Sequence, residues 1–409
     1  MSITEHGRRT EGPQRLDEGQ LGAHLRLYAE RLLEEGYCRA GVSRDLRITS
    51  DFSHWLSDEG LGLHELDERT VERYQRHRHP SPSDARALRR LLRMLRDIQA
   101  IAPLPRAVLD PLEQIEEDFY RYLAQQCGLA HVSVIRHKPV LRQFLGEQRA
   151  EGRRSLSRLT AVDVTRFVES HAHDQSPKSA QSMCWSLRSF LRYLLFRGEI
   201  FVDLAGSVPA VRTWKLTSIP QYLRPRQIQQ VLATCDRRSP IGRRNYAILL
   251  LLSRLGLRAN EVRLLALEDI DWGAPQLVVQ GKGGQRAPLP LPGAVGAAIA
   301  DYLRYGRPRS GDRRVFLRHV APHRGFTTSR AISTLAETAL GRAGFQGLPR
   351  KGAHLFRHSL ATQMLRAGAS LREIGQVLRH RKQDATRIYA KVDIGALRTL
   401  ALPWPGGGR

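Results

Sequence analysis

A helical hydrophobic repeat runs through the first two hundred residues and then gives way to a different pattern, and this limits the chain's folds most sharply. Leu21, Leu25, Tyr28, Leu32 and Leu33 recur at the 3.6-residue spacing of a helix with one apolar face. The same reading predicts helices over 21–36, 43–56, 70–78 and 85–100, with Asp67 or Thr70 capping the third. Pro80–Ser83 reads as a turn ahead of the fourth, and Ile101–Pro105 closes the set. A second helical set follows at 112–127, 131–151, 160–171 and 176–198.

The two sets resemble one another. Tyr28, Phe52, Leu66 and Val71 match Tyr120, Phe144, Leu159 and Val164 at offsets of 92, 92, 93 and 93. Each set also carries a Leu-x-x-Leu-x(4)-Val stretch, Leu63–Val71 and Leu156–Val164. Duplication accounts for this, and so do two unrelated amphipathic bundles whose apolar periods happen to align.

Beyond a proline-bounded linker at 208–220 the pattern changes. Helical periods at 226–235, 243–255 and 261–265 precede Gln276–Gln280 and Gln285–Leu291, two β-type runs around the turn Gly281-Lys282-Gly283-Gly284. Further helices are predicted over 293–305, 329–343, 359–368, 371–378 and 384–392. The expected fold is mainly α: two N-terminal helical modules plus a mixed α+β domain with a small β-hairpin sheet. The expected boundaries are 1–110, 111–207, a linker at 208–220, 221–400 and a Pro- and Gly-rich flexible tail at 401–409.

Charge narrows the partner. The chain has 65 Lys and Arg against 40 Asp and Glu, and the excess is not spread evenly. Residues 1–110 hold 18 of each sign, 111–220 carry +4, and 221–409 carry +21. Arginine supplies 58 of the cations, so a compositional bias is the bland explanation; but such a bias would not leave the first 110 residues balanced. A concentrated excess points to a polyanion, because neutralising phosphates releases counterions. The polar N-terminus does not resemble a signal peptide, and no run of about 18 apolar residues marks a membrane span. Cys38, Cys127, Cys184 and Cys235 lie far apart, unlike a disulfide framework or a cysteine zinc site. The expectation is a cytoplasmic, nucleoid-associated protein with no membrane partner.

Four segments of the third unit draw attention: Gly256-Leu257-Arg258-Ala259-Asn260-Glu261, the Lys282 turn, His354-Leu355-Phe356-Arg357-His358, and Leu378-Arg379-His380 followed nine residues later by Tyr389. Singly each is weak. His354 and His358, at i and i+4, have zinc-ligand spacing, but no third ligand is nearby and no acidic base lies between them. Basic, capping or core roles fit that pair better.

Together and in this order the segments resemble the tyrosine recombinase (phage-integrase) family, with a transposon-encoded member as one form of it. The resemblance spans about 112–400 and includes Leu267–Trp272 before the hairpin and Ala367–Gly375 before His380. It implies a catalytic domain at 221–400, a helical core-binding domain at 111–207 that clamps DNA, and catalytic roles for Arg258, Lys282, His354, Arg357, His380 and Tyr389. It implies no cofactor and no metal. Two departures stand out: Arg379 occupies a position where the family commonly has Gly, and Phe356 one where it has Leu. Arg379 is expected to add a phosphate contact. Residues 1–110 fall outside the common pattern.

The chemistry needs these residue types. A phenol attacking a phosphodiester passes through a dianionic phosphorane, and the guanidiniums of Arg258 and Arg357 suit its non-bridging oxygens. Tyr389, with an ordinary pKa of ~10, needs help to attack. His354 is the expected proton acceptor, His380 a donor to a phosphate oxygen, and Lys282 the acid for the departing 5′-oxygen. Glu261 is expected to pair with a cation. The implied reaction is site-specific recombination through a 3′-phosphotyrosine, without metal or ATP. Its expected partners are double-stranded DNA carrying recombination sites and a homotetramer, or a hetero-assembly with related recombinases. A type IB topoisomerase and a non-catalytic DNA-binding regulator are the alternatives.

Overall fold

The computed structural model describes residues 19–78, 81–104, 109–212, 220–281, 284–348, 351–380 and 384–392. They form two compact units: 109–212 is one, and 19–104 with 220–392 is the other. The first helical module therefore belongs to the same compact unit as the C-terminal half.

That module is built from α1 (Gly22–Glu34), α2 (Arg39–Asp58), α3 (Glu68–Arg78) and α4 (Pro82–Asp97). Its core gathers Leu25, Tyr28, Phe52, Tyr74, Leu88 and Leu91, with the rings of Phe52 and Tyr74 edge to face at 4.9 Å. The stretch expected to be a turn at Pro80–Ser83 differs: α4 already begins at Pro82. Ser81 accepts from the Asp84 amide and Asp84 answers to the Ser81 amide, a reciprocal cap. Pro82 costs nothing there, because the first helical N–H has no intrahelical partner.

The unit 109–212 comprises α5 (Pro111–Gln125), α6 (His131–Ile135), α7 (Lys138–Ala150), α8 (Ala161–Ala172) and α9 (Pro177–Arg197). Phe119, Phe144, Phe167 and Phe190 interlock at its centre. The single helix expected over 131–151 is broken at Arg136 and His137. Pro139 explains the break, because it has no N–H to return to the fourth carbonyl before it. Gly198, in the left-handed region at φ +72°, ends α9 without the Cβ clash another residue would meet there.

The C-terminal half starts with α10 (Pro225–Ala233) and α11 (Pro240–Arg254), the latter buried on nearly every face. Then come α12 (Ala259–Leu264) and an antiparallel sheet of β1 (Ile270–Asp271), β2 (Gln276–Gln280) and β3 (Arg286–Pro290). The order is β1-β2-β3, with Leu277 opposite Leu289 and Gln280 opposite Arg286. Next are α13 (Gly293–Tyr305), α14 (Ser329–Arg342), α15 (Ala353–Arg366), α16 (Leu371–Val377) and α17 (Asp384–Arg387), closed by a 3-10 turn at Ile388–Val392. Helix α15 begins six residues before its expected start. Its first two turns bury polar Arg357 and Ser359 along with Ala353, Leu355 and Phe356, so no apolar face at helical spacing marks that end in the sequence. The fold is thus mainly helical with one small antiparallel sheet, as expected. No described helix is long and apolar enough to cross a membrane.

Candidate active site

Four chain segments converge. Just beyond the end of α11 lies Gly256, in the left-handed region at φ +58°. A side chain here would strike Leu378, since a Cβ would lie 2.8 Å from its Cδ2. Glycine therefore lets the start of α12 meet the end of α16. Arg258 follows as the N-cap of α12; its amide donates to Glu261 Oε2 at 2.8 Å and its Nη1 to Oε1 at 2.6 Å.

Helix α15 carries His354, Arg357 and His358 at i, i+3 and i+4, which places them along one face. His354 is exposed, His358 half-buried, and Arg357 only 4 % exposed. Arg357 Nη1 donates to the Gly256 carbonyl at 2.5 Å and Nη2 to the Leu378 carbonyl. One buried guanidinium thus ties the α11–α12 corner to the end of α16. Burial, and then the charge of Arg258, push its pKa down to about 9, which still leaves it protonated at neutral pH.

Past α16 the chain turns at Arg379, in the left-handed region at φ +54°. Glycine adopts that conformation without strain, a physical reason for the glycine common in the resembled motif. Arg379 instead donates to Glu261 Oε2 at 2.9 Å and to the Val377 carbonyl. The Arg379 guanidinium is thus held against a carboxylate, and Glu261 pairs with two cations rather than one. Burial would raise the Glu261 carboxyl, but the Arg258 amide and the Arg379 charge outweigh it and hold it below its ordinary value.

His380 Nδ1 lies 2.8 Å from the Thr386 hydroxyl, and its ring is parallel to that of Tyr389 at 6.4 Å. Burial, then Arg357 and Arg258, push its pKa down to about 4, so the imidazole is neutral at pH 7. Tyr389 is 2 % exposed, and burial lifts its hydroxyl to about 12 against the opposing pull of Arg357. That hydroxyl sits 2.9 Å from His358 Nδ1. His358 is not among the site residues expected from the sequence. Its spacing from His354 suits a basic, capping or core role better than a metal site, and its place directly after Arg357 is the available signal. Among the described residues no three metal-ligating side chains gather. Lys282 lies outside the described residues, between β2 and β3.

Residues 221–395 match the profile of the phage integrase family, and 117–198 match the phage integrase N-terminal SAM-like domain. The integrase/recombinase-type protein y4rA of Sinorhizobium fredii is 44% identical over 95% of this chain and 96% of its own length. The chain belongs to the phage integrase, or tyrosine recombinase, family. Tyrosine recombinase XerC of Oceanobacillus iheyensis is 28% identical over 71% of this chain and 95% of its own. The fold is shared with the XerH site-specific recombinase solved with palindromic difH substrate in a post-cleavage complex, at a TM-score of 0.54 and 17% identity. That match covers 73% of this chain and 98% of the other. As a tyrosine recombinase the chain is an enzyme of DNA strand cleavage and rejoining, and DNA is its partner.

Proposed function

We propose that Tyr389 is the nucleophile of this recombinase and that Arg258, Arg357, His380, His354 and Lys282 complete the reaction. The Tyr389 oxygen attacks phosphorus, the bond to the 5′-oxygen breaks, and a 3′-phosphotyrosine forms. The phenol proton passes to a histidine, His358 in direct contact or His354 one turn earlier. The 5′-oxygen takes its proton from Lys282, a role that rests on sequence alone; arginine, which does not deprotonate in proteins, could not supply it. Arg258 and Arg357 neutralise the non-bridging oxygens, and neutral His380 donates to one of them. The observation that carries this reading is the meeting of Tyr389 with His358, His380 and the field of Arg357 in one buried pocket.

Residues 111–207 serve as the clamp on the duplex and 221–400 as the catalytic domain, acting in the cytoplasm on the nucleoid. Strand exchange pairs two sites, which calls for four protomers, either identical or shared with related recombinases. The test is a nicked suicide substrate cut from the DNA flanking the gene. Wild-type protein becomes covalently attached and Tyr389→Phe does not; an adduct with Tyr389→Phe would overturn the assignment.

A further inference from the structure

The N-terminal module meets the C-terminal half along a defined seam. The His323 amide donates to the Glu35 carbonyl at 2.8 Å, and Arg324 forms an ion pair with the Glu35 carboxylate. Gly36, at φ +87°, leaves room for the His323 ring, which a Cβ would meet at 2.1 Å. Beside this seam a cleft of about 570 Å³ opens between α1, α4 and the loop 318–324.

Its walls hold seven arginines and only two carboxylates, Glu35 and Asp97. Both acids are engaged: Arg31 bonds Asp97 at 2.7 Å and Arg324 takes Glu35. Arg90 reaches out of the cleft to Asp45 at 3.1 Å. Arg86, Arg89, Arg93 and Arg318 then have no carboxylate partner among the described residues. Arg86 and Arg89 bond carbonyls of their own helix, and Arg318 bonds those of Val320 and Ala321.

We infer that this cleft is a second DNA-binding surface, separate from the Tyr389 site, which grips the phosphate backbone through Arg86, Arg89, Arg93 and Arg318. Helix α4 buries Leu88, Leu91, Leu92 and Leu95 and turns Arg86, Arg89 and Arg93 outward, spaced three and four residues apart on one exposed stripe. The stripe runs about 10 Å at ~1.5 Å per residue. A duplex carries one charge per ~1.7 Å of axis, so several phosphates fall within that reach. The three α4 arginines are exposed and Arg318 half-buried, and all are long, which fits a solvated, extended polyanion. A small anion would need buried donors around one point. Loop 318–324 belongs to the C-terminal half, so DNA held here is contacted by both parts of the unit at once. The inference rests on DNA being the partner.

The test is fluorescence anisotropy with the full chain and a 40-base-pair duplex of arbitrary sequence, titrated across salt concentrations. R86A/R89A/R93A should bind ~10-fold or more weakly at physiological salt, and its log–log salt slope should be shallower by about two to three, at ~0.9 per lost phosphate contact. R86K/R89K/R93K should stay near wild type. R47A/R76A/R78A removes the same charge from exposed positions that do not line the cleft and should shift the slope by less than about one. R318A should cost less in the α4 triple than in wild type, because the two share a ligand. Wild-type affinity and slope in the α4 triple, or an equal loss in the control triple, would overturn the cleft. Failure of the wild type itself to bind the duplex would overturn DNA as partner. If the α4 triple loses binding to polyglutamate but not to DNA, the occupant is an acidic peptide and the inference falls.

Discussion

The Tyr389 hydroxyl and His358 Nδ1 lie 2.9 Å apart, within a pocket that leaves the phenol only 2 % exposed. Burial has lifted that hydroxyl to about 12, so at neutral pH the attacking oxygen still carries its proton and a base has to take it. The imidazole is the group in contact.

His358→Ala is therefore expected to slow formation of the covalent adduct by ~10²-fold at pH 7 while leaving DNA affinity unchanged. With the base gone, the rate depends on the ionised fraction of the phenol. It should then climb roughly tenfold per pH unit between 7 and 9, where wild type stays flatter. Single-turnover adduct assays across pH measure this. A His358→Ala enzyme with the wild-type profile would show that the contact only packs the ring.

Glu261 is the shared anion of Arg258 and Arg379, and it is 3 % exposed. Glu261→Gln leaves those guanidiniums and Arg357 close together without a counter-charge. Breaking such a buried pair from one side costs about 3 kcal/mol. Urea unfolding should show that loss, and Glu261→Gln/Arg379→Met should recover part of it by removing the cation stranded in a strained turn. Additive losses in the double variant would contradict the bridge.

Two half-buried histidines set an acid limit on stability. His380 and His319 are each pushed down to about 4, chiefly by burial, then by Arg357 for the first and Arg244 for the second. In the unfolded chain both titrate near ~6.5. A lowered folded pKa means that the unfolded state binds the proton first, so this stability is complete above about 6.5 and is lost as pH falls toward 4. Between pH 7 and pH 5 each should cost roughly 2 kcal/mol. Urea unfolding at pH 7, 6 and 5 measures it, and His319→Asn should flatten the fall without touching the active site. An unchanged pH dependence in that variant would refute the assignment to His319.

Local pattern carried much of this protein into view. The 3.6-residue repeat of Leu21 to Leu33 and the glycine turn after Gln280 determine which segments are helical and where the hairpin lies, because a segment's period decides which face it can bury. The ordered motifs around Arg258, Arg357, His380 and Tyr389 marked the family, since their spacing is written directly along the chain. The sequence missed what depends on distance across the fold. His358 belongs beside Tyr389, 31 residues away, only because α15 and the final 3-10 turn pack together. Arg379 reads as a spare cation until its positive φ turns it onto Glu261, 118 residues earlier. A tally of residues 1–110 shows balanced charge, yet the helical period already lines Arg86, Arg89 and Arg93 along the polar side of the helix expected over 85–100; what the chain alone does not show is that Arg318 of a distant loop is set beside them. A linear tally cannot separate charges that a helix face segregates. Tertiary packing decides which side of the molecule each one meets.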